Sequence, residues 1–165
     1  MKNRNILLIG FLFCTLRLFA QTEYTVNLYD AQRERIVPIA IYEPKHVNKH
    51  TPVIIFNHGY GQNAPDSYIS YSCLTKPLAM KGYYVISIQH ELPNDLPLAM
   101  SGNFMKTRMP NWERGVENIL FTIKEFKKFK PKLSWNNITI MGHSNGGDMA
   151  MLFACLLYTS DAADE

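Results

Sequence analysis

Ile138-Thr139-Ile140-Met141-Gly142-His143-Ser144-Asn145-Gly146-Gly147 is the stretch that decides the fold of this chain. Its first four residues are apolar or β-branched on both faces, which suits a strand buried between two helical layers. The next six contain G-x-S-x-G with an extra glycine, and an apolar helix is expected from about Gly147. Strand, tight turn and helix are the context in which this motif presents a nucleophile. Gly142 and Gly146 remove side chains that would collide across the turn, and Gly147 is expected to let the helix pack close to the strands. Ser144 is thereby lifted above the sheet edge. The helix N-terminus beneath it favours developing negative charge.

Outward from this turn, strands and helices alternate. Strands are expected at Tyr24 to Tyr29, Arg35 to Tyr42, Val53 to Phe56, Tyr84 to Ile88 and Ile138 to Met141. Pro38 places the second at an edge or a bend. A helix is expected from Ser67 to Lys81, with Ile69, Cys73, Leu74, Leu78 and Met80 as its apolar face. Gly82 stops it, and Pro77 kinks or breaks it. The spacing of Val116, Ile119, Leu120, Ile123 and Phe126 predicts a second helix over Asn111 to Phe129, capped by Asn111. Buried strands alternating with helices mean an α/β fold: a mostly parallel sheet with helices on both faces.

A second motif, Asn57-His58-Gly59-Tyr60-Gly61, directly follows the strand Val53 to Phe56. Acyl transfer at Ser144 needs preorganised donors for an oxyanion. The backbone N–H of Asn145 is one candidate and that of Tyr60 is the other. His58 reads as a histidine bonding within its own loop. His143 is expected to point away from the serine. His90 and Glu91, after the strand Tyr84 to Ile88, are expected at a pocket rim. The irregular segment Glu91 to Met109 is long and apolar enough to wall an acyl or leaving group. His58, His90 and His143 sit on different loops without short ligand spacing, so no metal and no cofactor are expected.

These motifs, His58 to Gly61 and Gly142 to Gly147, resemble the N-terminal half of an α/β-hydrolase over roughly Thr51 to Ala154. NHGYG, GYYVISIQHE (Gly82 to Glu91) and GHSNGG look most like esterases of the dienelactone hydrolase and platelet-activating-factor acetylhydrolase type. The resemblance implies a carboxylic-ester hydrolase with a small-molecule ester substrate and an acyl-enzyme on Ser144. It also implies a triad acid and histidine on later strands, which this sequence does not contain, so the chain by itself is expected to be inactive. A non-catalytic binding protein of the same fold and an acyltransferase using the same nucleophile remain the alternatives.

The two ends read differently from the middle. Lys2 and Arg4, the apolar run Ile6 to Phe13 and small Ala20 before Gln21 follow the layout of a secretory signal peptide over residues 1–20. Arg17 breaks the run short of a membrane span. A secreted or periplasmic location follows. Residues 155–165 resemble an in-frame translation of a sequencing adapter, the alternative being a natural polar tail. Residues 21–154 are then the partial hydrolase domain.

Of the 165 residues, 47% are hydrophobic and 19% charged, which excludes a disordered chain. The net charge is +3, and the two end segments remove equal numbers of basic and acidic residues. That small excess does not suggest a nucleic-acid partner. Trimming leaves one cysteine, Cys73, which is expected to be a small core residue.

Overall fold

A computed structural model describes Thr22 to Asp161, with side chains described as far as Leu157. Among these described residues five strands and four α-helices follow one another as β1 (Thr22–Asp30), β2 (Arg35–Glu43), β3 (Pro52–Asn57), α1 (Ser72–Met80), β4 (Tyr84–Ile88), α2 (Phe104–Thr107), α3 (Met109–Phe129), β5 (Ser134–Gly142) and α4 (Asn145–Asp161). The leader expected over residues 1–20 lies outside the described residues. So do 162–165 of the expected tail, while α4 runs on through Asp161.

The strands form one mixed sheet in the order β1-β2-β4-β3-β5. β3 is parallel to both β4 and β5, whereas β2 is antiparallel to β1 and to β4. The sequence dictates two buried faces. Val37, Ile39, Ile41, Val53, Ile55, Tyr84, Ile86 and Ile88 pack on one face with Val116, Ile119 and Phe126 of α3 and Phe153 of α4. The alternate residues Ala40, Tyr42, Ile54, Phe56 and Val85 pack on the other with Tyr68 and Ala79. In β2, β3 and β4 both phases are apolar and leave no face for water, so these three strands are covered on each side, whereas β1 is largely exposed. Each fully buried Ile or Val contributes about 1.5–3 kcal/mol.

Several expectations are corrected. β2 is not an edge strand: it lies between β1 and β4. Pro38 is tolerated because its carbonyl, accepting from the Gln89 amide at 2.9 Å, faces the end of β4. The strand rungs with β4 begin only at Ile39, so the missing N–H falls where the ladder has stopped. The helix expected over Ser67 to Lys81 is a 3-10 turn, Ser67–Ile69, followed by α1. The break comes before α1 and not at Pro77, which stays inside it. Pro77 and Cys73 both lie on the exposed side of α1, so the carbonyl that proline leaves unpaired faces water.

Cys73 is exposed rather than in the core, as are Leu74 and Met80. The buried residues of α1 are Thr75 and Ala79. α1 ends as expected at Gly82, whose φ of 101° allows the amides of Gly82 and Tyr83 to reach the carbonyls of Ala79 and Leu78. α3 starts two residues before Asn111, so Asn111 is not its cap. Leu120 of α3 is largely exposed, off the buried stripe.

Candidate active site

The turn between β5 and α4 carries Ser144 at φ 51°, in the left-handed region that a serine rarely occupies. Two glycines allow this. A Cβ on Gly142 would run into the backbone of Gly146 and Gly147, and a Cβ on Gly146 would run into the carbonyls of Asn57 and His58. Gly147 does not have the packing role expected of it: the nearest atom to a Cβ there is the Gly142 carbonyl oxygen at 3.6 Å, an ordinary contact. The close helix approach is instead between Gly115 of α3 and the Met149 side chain of α4. Ser144 is exposed, and the amides of Gly147 and Asp148 close the first turn on its carbonyl at 2.7 and 3.1 Å.

The elbow is fastened to the loop after β3. The His143 amide donates to the Asn57 carbonyl at 3.1 Å, and Asn57 Nδ2 donates to the Met141 carbonyl at 2.8 Å. The Tyr71 hydroxyl accepts from the Gly59 amide at 3.2 Å and bonds His143 Nδ1 at 2.8 Å. His143 therefore lies over Gly59, where a Cβ would sit 2.8 Å from its Nδ1. Gly61 packs on Ser67 with no room for a side chain. Tyr60 holds the next loop: its hydroxyl accepts from the Leu98 amide at 3.1 Å. Among the described residues the amides of Tyr60 and Asn145 make no hydrogen bond, which leaves both as open donors.

His58 bonds its own loop through Nδ1 to the Gly59 carbonyl at 2.7 Å, and its Nε2 accepts from the His90 amide at 3.1 Å. His90 and Glu91 do not line an open rim. Both are buried beneath the elbow, because Gln89 to Glu91 run on directly from a strand covered on both faces. His90 Nε2 bonds Asn57 Oδ1 at 2.8 Å. Burial, then the neighbouring His58, Arg114 and Arg35, hold His90 well below the ordinary histidine range. Burial also lowers His58, against the opposing pull of the Gly59 carbonyl and Glu91. Both rings are thus neutral packing and bonding groups near pH 7.

Glu91 Oε1 accepts from Asn145 Nδ2 at 2.9 Å and from Asn111 Nδ2 at 3.3 Å. Asn111 and Trp112 of α3 and Tyr71 are site residues outside both motifs, and Asn57 stands in the second motif with no role read for it. The available signal was a polar residue on a buried helix stripe: Asn111, Asn118 and Thr122 share the face of Gly115 and Ile119.

The segment after Glu91 is anchored by Arg35, whose guanidinium reaches Asp95 at 2.8 and 2.6 Å and the His90 carbonyl at 2.8 Å. Burial raises the Asp95 carboxyl, but Arg35, the Leu92 amide and Arg114 outweigh it and hold it below its usual range. Beyond this anchor Leu96, Met100, Phe104 and Met105 are exposed. Among the described residues no group of three or more His, Cys, Asp or Glu is placed to hold a metal ion, and no helix is long and apolar enough to cross a membrane.

Strand order, the strained serine turn and the facing glycine loop define an α/β-hydrolase fold. A family model described as BD-FAE matches residues 39–163, and the chain belongs to that family. Solved structures of the same fold include a thermostable carboxylesterase, EstE1, from a metagenomic library. It is 15% identical at TM-score 0.60, over 86% of this chain and 43% of that one. An esterase from Pyrobaculum calidifontis is 16% identical at TM-score 0.58, over 85% and 41%. Esterase B from Lactobacillus rhamnosis is 21% identical at TM-score 0.55, over 81% and 40%. The chain thus spans less than half the length of each of these three. No curated protein matches it in sequence.

Proposed function

We propose that the full-length protein is a serine carboxylic-ester hydrolase that works through an acyl-enzyme on Ser144. The observation that carries this reading is Ser144 itself, exposed at φ 51° on a strand–helix turn in which Gly142 and Gly146 admit no side chain. Such strain persists only where the surroundings over-determine it, and it concentrates at reacting residues. In this reading Ser144 Oγ attacks the ester carbonyl, and the amides of Asn145 and Tyr60 receive the oxyanion. A histidine and an acid beyond this chain supply the proton transfers.

The three histidines on the loops around the serine turn are held by other partners. His58, His90 and His143 bond to Gly59, Asn57 and Tyr71, and among the described residues no hydrogen bond reaches the Ser144 side chain. The exposed apolar residues Leu96, Met100 and Met105, next to the segment that Tyr60 holds, suit an acyl chain or an apolar leaving group. In this reading residues 1–20 are a secretory leader that directs the protein to the periplasm or outside the cell, and residues 21–154 belong to the hydrolase part.

Full-length protein hydrolysing p-nitrophenyl esters, with Ser144→Ala removing both turnover and labelling by a fluorophosphonate, is the expected result. Labelling of the Ser144→Ala protein at the rate of the parent would overturn it.

A further inference from the structure

We propose that Glu91 is a positioning residue for the oxyanion site, acting through the side chain of Asn145; this rests on the serine-hydrolase reading. The backbone amide of Asn145 opens α4 without a partner, as the first amides of any helix do. Its side chain is the opposite case: 2% exposed and bonded at every polar position. Trp112 Nε1 donates to Asn145 Oδ1 at 2.9 Å. An indole N–H can only donate, so this bond fixes which end of the amide is oxygen. Nδ2 must then face Glu91 Oε1 at 2.9 Å and Asn111 Oδ1 at 2.8 Å, both acceptors.

Three bonds from two elements lock one side chain. The peptide plane that carries the open amide hangs from the same Cα. Glu91 is central to the lock because its carboxylate also lies beside the other half of the site. Oε2 is 3.8 Å from His58 Nε2, on the loop that carries the Tyr60 amide, and makes no bond of its own. Glu91 is 1% exposed, and burying a carboxyl group this deeply costs free energy unless it is hydrogen-bonded, as Oε1 is here. Asn111 and Trp112 bring α3 to the same point, so the first turn of α3, the end of β4 and the start of α4 converge on one amide.

The chemistry makes a test by exchange of groups. Asn145→Asp keeps the shape and the bond from Trp112, but sets a carboxylate oxygen against the Glu91 carboxylate. Adding Glu91→Gln supplies a side-chain N–H that the new aspartate can accept, and a flip of the Asn111 amide turns its Nδ2 to the aspartate and its Oδ1 to the new glutamine N–H, which rebuilds the lock with donor and acceptor reversed in each of these bonds. In the full-length enzyme Asn145→Asp is expected to lower kcat about ten-fold or more, short of the roughly 10²–10³ lost when a donor is deleted outright. KM should change less than about two-fold, as for an interaction made only in the transition state. The double variant should recover most of the lost kcat.

Trp112→Phe, which removes only the bond to Oδ1, should lower kcat with KM unchanged, and it covers the case in which Asn145→Asp does not fold. Thermal unfolding of each variant reports the folded fraction. A folded double variant no faster than Asn145→Asp, or Trp112→Phe turning over at the parent's kcat, would overturn the positioning role alone. Parent activity that survives Ser144→Ala would instead overturn the hydrolase reading, and this role with it.

Discussion

Gly146 and Gly147 are adjacent and stand together in the GHSNGG motif, yet alanine at the two positions should have opposite effects. At Gly146 the added Cβ meets the backbone carbonyls of Asn57 and His58, far inside the 3.4 Å at which ordinary contact begins. Backbone at the end of β3, paired on both sides through Asn57, cannot swing aside as a side chain does, so α4 and the β3 loop must separate by roughly 1 Å. Overpacking of this kind costs about 1–3 kcal/mol, and rigid neighbours place it at the upper end. The separation also strains the bonds from His143 N–H to the Asn57 carbonyl, 3.1 Å, and from Asn57 Nδ2 to the Met141 carbonyl, 2.8 Å. At roughly 1 kcal/mol each, these bring the loss to about 3–5 kcal/mol.

At Gly147 the nearest atom is at 3.6 Å and φ is not positive, so alanine fits. There alanine gains up to about 1 kcal/mol of helix propensity. Urea unfolding of the full-length protein measures both changes, and ester hydrolysis shows whether the elbow survives. Equal losses at the two positions, or a Gly146→Ala midpoint indistinguishable from the parent's, would refute the steric argument.

Other substitutions probe the rest of the site. Tyr71→Phe removes the hydroxyl shared by Gly59 N–H and His143 Nδ1; we expect a loss of about 1–2 kcal/mol by urea unfolding. The same variant should lower kcat more than it raises KM. For pH, His90 and His58 both bind a proton less readily folded than unfolded. Their contribution is therefore complete above the unfolded value of 6.5 and is lost as pH falls below it. The expected slope is at most about 1.4 kcal/mol per pH unit for each ring that stays neutral, read from unfolding midpoints between pH 7.5 and 5.5. A flat profile there would contradict both shifts. Replacing exposed Leu96 and Met105 together with serine should leave stability within about 0.5 kcal/mol. It should raise KM for long-chain esters and spare short ones; unchanged chain-length preference would remove this segment from the substrate site.

The centre of the sheet was legible because burial on both faces forces apolar residues into both phases of β3 and β4, as in Val53 to Phe56 and Tyr84 to Ile88. The elbow was legible because its glycines answer a local steric demand within six residues. Other features depend on partners distant in sequence and leave weaker marks. Asn111 looked like a helix cap because asparagine favours caps; its actual partner, Asn145, is brought to it only by the packing of α3 on α4. His90 and Glu91 looked like rim residues because they follow a strand's C-terminal end, where ligands bind. They are buried instead, because they run straight on from a strand covered on both faces. Cys73 and Leu74 read as core from type and spacing, but the 3-10 turn at Ser67–Ile69 shifts the helix start and turns the buried side of α1 to Thr75 and Ala79.

The left-handed backbone of Ser144 has one more consequence. A serine held there costs on the order of 1–2 kcal/mol that a glycine would not. Ser144→Gly should therefore unfold at higher urea than the parent while losing the hydroxyl. At this position selection for endurance and selection for work pull in opposite directions. A library of this protein screened only for heat resistance should discard the Ser144 hydroxyl.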